Sequence, residues 1–237
     1  ARSRTVEGRT VLALVGANAA VFCAWRVALR RPNATSFMFS HFTCSRESVQ
    51  LRRLHTLLTT NVSHYDPIHL GVNMVVLYTI GSQVCTIITA PRFTQLYFLG
   101  GLSASLASVA LKTMRRSPKV SLGASGSVMA TVFMYAQLFP ERRVTIFQQS
   151  ISSQDMYGLY PARFQRLALM ILNAIALGRS LPLFRTPRCI VSATIDLLGA
   201  IFGFSGIDFA AHLGGAAFGY SYFRLVRADL IRERRDK

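Results

Sequence analysis

The sequence predicts an all-α, polytopic membrane protein. Apolar residues make up 51% of the 237 residues, the mean hydropathy is +0.34 and only 16% of the residues are charged. The charges cluster between long stretches that contain no Asp, Glu, Lys or Arg. Because a helix that spans a bilayer needs roughly 17 to 25 mostly apolar residues, these stretches predict six membrane spans.

The predicted spans follow the uncharged runs in chain order. The first and last runs are short and are completed by Arg26 and Arg224, whose stems can lie along apolar surface while their charges reach water. The fifth run contains one acid, Asp196. The six runs are 10–25, 67–91, 93–111, 120–140, 189–207 and 209–223.

The spans define one membrane domain over 10–227, with basic tails over 1–9 and 228–237. Inside the domain we predict a long interfacial loop with an amphipathic helix over 28–60. An extended loop over 141–188 contains a 12-residue apolar run, 167–178. That run is too short to span, so it predicts an interfacial or re-entrant helix, with a seventh crossing as the alternative.

The net charge of +17 comes from 27 Lys and Arg against 10 Asp and Glu. The excess lies in the tails and between the spans, whereas nucleic-acid binding would need a basic face on a soluble fold. We therefore expect the lipid bilayer, through its anionic headgroups, to be the charge partner and expect no nucleic acid.

A helix start is predicted at Asp66-Pro67. Aspartate is a favoured N-cap and proline is favoured at the first helical position. The helix that follows carries His69 and Asn73 one turn apart, shortly after His64.

A serine lies between glycines in Gly123-Ala124-Ser125-Gly126, near the start of the fourth span. Small neighbours allow backbone N–H groups and a partner helix to approach, as a nucleophilic serine and its oxyanion require. Gly, Ala and Ser are also ordinary packing residues of membrane helices, so the tetrapeptide alone is a weak signal.

The last span carries a histidine above a glycine groove. At about 100° per residue, His212, Gly215 and Gly219 fall within one stripe of about 60°. The groove permits close approach to the helix that bears Ser125, so that the imidazole can accept the hydroxyl proton. A single histidine in a span is more often a satisfied polar contact, but ionisable groups at membrane depth are costly and by default mark function.

A metal site is the main rival interpretation of the histidines. His64 and His69 are five residues apart, which on a helix is about 140°. Asparagine is a poor ligand, and no carboxylate lies at ligand spacing. The four cysteines include no CxxC pair. The sequence therefore predicts neither a metal site nor a disulfide framework.

The chain resembles the rhomboid intramembrane serine proteases in three ordered motifs. These are His-x4-His-x3-Asn from His64, Gly-x-Ser-Gly from Gly123 and Ala-His-x-x-Gly-x-x-x-Gly from Ala211. The resemblance covers roughly 10–227 and implies the six-helix rhomboid core and hydrolysis of peptide bonds in transmembrane protein substrates, without a cofactor.

The resemblance also implies a role for each motif residue. Ser125 is then the nucleophile and His212 the base of a dyad that needs no acid. The oxyanion is held by the Ser125 backbone N–H and the side chains of His64 and Asn73, with His69 in support.

One position narrows the resemblance. Many bacterial rhomboids have a tyrosine four residues after the nucleophile, where this chain has Met129. In that methionine and in the strings around the motifs, the chain is similar to the mitochondrial branch, the presenilin-associated rhomboid-like proteases. The branch implies the mitochondrial inner membrane and an additional helix before the core, upstream of Ala1.

Two acidic residues each have two interpretations, and two other classes of protein are alternatives to a protease. Asp208 is either the N-cap of the last helix or a third member of a triad with His212. Asp196 is either a structural or a functional group within its span. A rhomboid relative that binds clients without cleaving them would lack the serine or the histidine, and a transporter would be expected to show internal repeats.

Overall fold

The computed structural model describes residues 2–139 and 208–235. The predicted loop over 141–188 with its run 167–178, and the fifth span with Asp196, lie outside the described residues. The regular secondary structure of the described part is helical, apart from one isolated antiparallel bridge between Cys44 and Ser121. An all-α fold is therefore confirmed.

The first and last helices are longer than the uncharged runs that predicted them. Helix α1 covers Arg2–Ala28 and helix α9 covers Phe209–Arg235, so neither 10 nor 227 is an element boundary. Arginine is a good helix former, and neither charged segment contains a proline to stop the helix. Residues assigned to basic tails, 2–9 and 228–235, are continuous with the helices of the domain.

The predicted loop over 28–60 consists largely of short helices. These are α2 Pro32–Phe42, α3 Arg46–Gln50 and α4 Thr56–Thr59, followed by a 3₁₀ turn over Thr60–Val62. Met38 of α2 packs on Trp25 and Ala28 at the end of α1. The segment therefore folds back on the membrane domain.

The predicted helix start at Asp66 is confirmed. The Asp66 carboxylate accepts a hydrogen bond of 2.7 Å from the His69 backbone N–H, and Pro67 opens α5, Pro67–Val76. The helix continues through a π-helical segment, Leu77–Gly81, into α6, Ser82–Ile88. After Thr89, whose φ is +73°, the chain turns into α7, Ala90–Met114.

Three helical stretches of the described residues are long and apolar enough to cross a membrane, namely Val6–Ala28, Pro67–Ile88 and Ala90–Met114. Helix α8, Ser125–Leu138, begins five residues later than the uncharged run that predicted it. At about 1.5 Å per residue its 14 residues reach about 21 Å. That is shorter than the hydrocarbon thickness of about 30 Å.

Helices α7, α8 and α9 pack closely on one another through small residues. Gly126 of α8 faces Ala104 of α7, and Gly214 of α9 faces Ala107 of α7. Because lipid offers no hydrophobic drive for helices to associate, close backbone packing of this kind holds membrane helices together. The three helices form the framework that positions the candidate site.

Candidate active site

The contact between α8 and α9 brings the serine motif against the histidine motif. A Cβ placed on Gly215 would lie 2.9 Å from the carbonyl carbon of Gly126 and still closer to its oxygen. A Cβ on Gly126 would lie 3.6 Å from the backbone oxygen of Ala211. The residue that follows Ser125 therefore touches both the residue before His212 and the glycine one turn beyond it.

The glycine groove continues along α9. Gly219 lies against the backbone of Ala130, whose Cα and carbonyl carbon are both 2.8 Å from an ideal Cβ at that position. Two successive turns of α9 thus meet α8 without an intervening side chain. This is the close approach that the stripe of His212, Gly215 and Gly219 predicted.

The loop before Ser125 is pinned to the segment after α4. The Gly123 N–H donates to the backbone oxygen of Thr60 at 3.1 Å. The Thr60 hydroxyl in turn donates to the backbone oxygen of Ser121 at 2.9 Å. Gly123 has a φ of +135°, a conformation that side chains rarely adopt, and the His69 ring fills the space where a Cβ would be. Ser125 is then the first residue of α8, where backbone N–H groups have no partner inside the helix.

His64 lies in this loop contact and is fully buried. Its Nε2 accepts a hydrogen bond of 3.2 Å from the Ala124 N–H. The neighbouring Ser63 hydroxyl accepts one of 2.7 Å from the Trp25 indole N–H, so α1 supports the same segment. Burial, with a smaller contribution from His69, lowers the pKa of His64 to about 3, and the ring is neutral at physiological pH.

The tautomer of His64 follows from that hydrogen bond. Since Nε2 accepts, the single proton of the neutral ring is on Nδ1. Nδ1 is buried and has no hydrogen-bond partner in the described part of the protein. The donor role implied for His64 can therefore be filled by Nδ1–H in this arrangement, and not by Nε2.

His69 and Asn73 lie on the adjacent turn of α5. The His69 ring meets the His64 ring edge to face, with ring centroids 5.0 Å apart. Asn73 is buried, and its amide donates to the His69 oxygen at 2.8 Å. His64 and His69 thus contact the loop that leads to Ser125, and Asn73 lies one turn of α5 beyond His69.

His212 lies in the first turn of α9. Its backbone N–H donates to the backbone oxygen of Asp208 at 3.2 Å, and its ring meets the Phe209 ring at a centroid distance of 6.5 Å. The Asp208 carboxylate accepts from the Ala211 N–H at 3.1 Å, which is the N-cap arrangement. These contacts support the N-cap alternative for Asp208.

Three further partners of Asp208 had no signal in the sequence. Its Oδ2 accepts from the Ser108 hydroxyl at 2.5 Å and from the Ser121 hydroxyl, and it lies 3.1 Å from the Lys112 ammonium. Burial raises the pKa of Asp208, but the Lys112 charge and these hydrogen bonds outweigh it and hold the pKa below its usual value. A lysine at the end of a span normally places its ammonium group in water, so nothing in the sequence indicated that Lys112 is buried.

Among the described residues, no group of three or more His, Cys, Asp or Glu side chains is arranged to hold a metal ion. The histidines instead pair with each other, with backbone groups and with glycine surfaces. The chemistry that this arrangement offers is that of a hydroxyl, imidazoles and backbone N–H groups.

The described part is an all-helical membrane fold in which the segments that carry the serine motif and the histidine motif contact each other through glycines, and this combination defines the class of protein. The sequence matches the family described as Rhomboid domain over residues 51–228. The chain therefore belongs to the rhomboid family.

The similar proteins are mitochondrial rhomboids. The mitochondrial presenilin-associated rhomboid-like protein A of Danio rerio is 29% identical over 90% of this chain and 47% of the relative. The mitochondrial presenilin-associated rhomboid-like protein of Mus musculus is 30% identical over 90% of this chain and 48% of the relative. The mitochondrial RHOMBOID-like protein 12 of Arabidopsis thaliana is 31% identical over 94% of this chain and 60% of the relative. The chain spans about half the length of its presenilin-associated relatives. Its apolar helices and these relatives make it a multi-pass membrane protein of the mitochondrion.

Proposed function

We propose that this protein is a serine endopeptidase that hydrolyses peptide bonds in or near the transmembrane segments of other membrane proteins. The observation that carries the proposal is the backbone contact of Gly126 with Ala211 and Gly215. It juxtaposes the start of α8, where Ser125 lies, with the first turn of α9, where His212 lies. A nucleophile and its base must be neighbours in this way.

In the proposed reaction, the Ser125 hydroxyl oxygen attacks the scissile carbonyl carbon while His212 takes the hydroxyl proton. Collapse of the tetrahedral intermediate breaks the C–N bond, and the imidazolium of His212 gives its proton to the leaving amine. Water then attacks the acyl-enzyme ester, again with His212 as base, and releases Ser125. Two residues suffice because the imidazole serves in turn as acceptor and donor.

We further propose that the oxyanion is stabilised at the N-terminus of α8. The Ser125 backbone N–H is one of the helix-terminal donors, and the positive end of the helix dipole favours an anion there. The buried Nδ1–H of His64 and the Asn73 amide are the proposed side-chain donors, and His69 supports both. The hydrogen bond from the Ala124 N–H to His64 Nε2 aligns the loop that presents these groups.

The shortness of α8 supports a site below the membrane surface. Helix α8 is about 9 Å shorter than the hydrocarbon layer, so if its Leu138 end reaches one membrane surface, its Ser125 end lies below the other. A substrate helix hides its carbonyl groups in internal hydrogen bonds, so it must unwind locally before it is cut. We expect substrates with small or helix-breaking residues near the cleaved bond, and we place the reaction in the mitochondrial inner membrane.

The test compares purified wild-type protein with Ser125→Ala and His212→Ala on a transmembrane substrate. We expect both variants to lose at least about a thousandfold in kcat, as dyad members do. Ser82→Ala and His55→Ala are matched controls outside the motifs and are expected to cleave normally. Equal cleavage by wild type, Ser125→Ala and His212→Ala would end the protease proposal and leave client binding as the function.

A second experiment tests the nucleophile separately from turnover. We expect a fluorophosphonate to form one covalent adduct, which mass spectrometry of the labelled peptide assigns to Ser125. Labelling at another serine removes the assignment of Ser125. Retained labelling in Ser125→Ala would have the same consequence.

A further inference from the structure

The carboxylate of Asp208 is the centre of a buried polar cluster that the proposed reaction does not use. The Asp208 cluster consists of Asp208, Lys112, Ser108 and Ser121. The side chain of Lys112 is only 10% exposed and that of Asp208 23% exposed. The Lys112 ammonium contacts both the Asp208 carboxylate and the Ser121 hydroxyl.

The cluster joins three separate parts of the chain. Ser108 and Lys112 are one turn apart near the end of α7, Ser121 belongs to the loop before α8, and Asp208 caps α9. Ser121 precedes Ser125 by four residues, and Asp208 precedes His212 by four residues. A single carboxylate thus ties together the segments that lead into the proposed nucleophile and the proposed base.

Both tied segments are held on their other sides. Ser121 pairs through its backbone with Cys44, in two hydrogen bonds of 2.8 Å, and its oxygen accepts from the Thr60 hydroxyl. The second carboxylate oxygen of Asp208 accepts from the Ala211 N–H, next to His212. A displacement of Asp208 would therefore move the start of α9 relative to an otherwise fixed loop.

We propose that Asp208, neutralised by Lys112, is a positioning residue that fixes the first turn of α9 against the loop that presents Ser125. The inference rests on the proposed function for its meaning, since the two tied segments carry the proposed dyad. In this role Asp208 sets the separation of Ser125 and His212 and takes no proton in the reaction. It differs from a triad acid, which would act directly on the imidazole.

The experiment is a double-mutant cycle on Lys112→Met and Asp208→Asn. Either single change leaves one buried charge without its partner, which is strongly destabilising locally, whereas removal of both charges is far better tolerated. We expect each single variant to lose at least about tenfold in kcat with KM within about twofold, since substrate binding does not use the cluster. The double variant should recover to at least about threefold above either single variant.

The other ion-pair contact between α7 and α9 supplies a matched control. Arg92, at the start of α7, pairs with Glu233 at 2.9 Å and with Asp229 at 3.6 Å near the end of α9, at the opposite end of the antiparallel helix pair. Arg92→Met removes one cation from the same two helices, far from the dyad. We expect its kcat to stay within about twofold of wild type.

Two outcomes would overturn the positioning role. If all three cluster variants keep the wild-type kcat per site, with sites counted by complete fluorophosphonate labelling, the cluster only stabilises the fold. If the double variant is no better than Asp208→Asn, the carboxylate acts directly on the imidazole.

Hydrogen exchange gives a readout that does not depend on activity. Exchange at 121–126 and 208–215 should accelerate in each single variant and slow again in the double variant, whereas exchange in α1 should not change. Unchanged exchange in both segments would refute the inference even if no substrate is cleaved. A wild-type protein that neither cleaves nor labels at Ser125 would instead refute the proposed function, and the two failures are thereby distinguished.

Discussion

The closest backbone approach in the candidate site can be tested by adding one methyl group. Gly215→Ala places a Cβ 2.9 Å from the carbonyl carbon of Gly126 and 3.2 Å from its Cα, with the carbonyl oxygen nearer still. All three atoms belong to the backbone of α8, so no side chain can rotate away. The methyl group can be accommodated only if α8 and α9 move apart.

The magnitude follows from these distances. Ordinary contact begins near 3.4 Å, so the helices must separate by at least about 0.5 Å at Gly215. Overpacking lowers the free energy of unfolding by about 1 to 3 kcal/mol, and the higher helix propensity of alanine offsets up to about 1 kcal/mol of that loss. Since a misplacement of about 1 Å can cost about a hundredfold in rate, we expect kcat to fall by at least about tenfold.

The assay measures saturating cleavage of a transmembrane substrate and thermal unfolding in the same detergent. Gly16→Ala is the matched control, because Gly16 lies in a membrane helix with nothing within 4 Å of its Cβ position. It should keep wild-type kcat and gain up to about 1 kcal/mol. Gly219→Ala creates a comparable overlap with Ala130 one turn farther from His212, and should lose similar stability with a smaller loss of kcat.

The reasoning fails if Gly215→Ala cleaves at the wild-type rate. It also fails if Gly215→Ala and Gly219→Ala lose kcat strictly in proportion to their loss of stability, because the effect would then be unfolding and not displacement of His212.

Three further predictions concern the loop before Ser125 and the buried thiol beside it. His64, with a folded pKa of about 3 against about 6.5 when unfolded, contributes stability that is fully present above pH 6.5 and is lost as the pH falls toward 3, by about 5 kcal/mol in total. Chemical denaturation between pH 7 and pH 4 should therefore show a flatter pH dependence for His64→Gln than for wild type, and parallel curves would contradict the burial argument. Gly123→Ala combines a φ of +135° with a Cβ 2.6 Å from His69 Cε1, so we expect a loss of about 2 kcal/mol or more in thermal unfolding, and no loss would mean that the loop can adopt another conformation. Burial raises the pKa of Cys44 to about 11 and its side chain is inaccessible, so peptide mapping should find no maleimide on Cys44 until the protein is denatured; labelling of Cys44 in the native protein would show that this loop opens.

Local signals predicted a good part of the site. Asp66-Pro67 predicted a helix start because capping depends only on adjacent residues, and the structure has that cap. The start in turn fixed His69 and Asn73 one turn apart on α5. Likewise, the i, i+3, i+7 stripe of His212, Gly215 and Gly219 depends only on helix geometry, and the glycines face α8 as the stripe requires.

Other features depend on contacts between distant segments and had no local signal. The hydrogen bond from the Ala124 N–H makes His64 Nε2 an acceptor, a state that the spacing of the histidines does not specify. Lys112 directly follows the third uncharged run, yet it is buried against Asp208, 96 residues away along the chain. Each of these features exists only because two distant segments are packed together.

The residues at which the helices begin and end could not be predicted from the charge pattern either. Uncharged runs mark which residues suit lipid, but a helix ends where its backbone hydrogen bonds end. Helix α9 therefore continues through charged residues to Arg235, and α8 begins only at Ser125, inside its uncharged run.

By itself, the sequence determined the membrane class, the all-α fold, the rhomboid motifs and the helical faces that carry them, because hydropathy and helix periodicity act within one segment at a time. Only the tertiary structure decided how the segments meet. Gly126 packs against Gly215, His64 accepts a hydrogen bond from the Ala124 N–H, and Asp208 joins α7 to the loop before Ser125. The physical reason is that backbone approach, tautomer and burial of a charge are properties of pairs of segments, which become defined only when the helices pack.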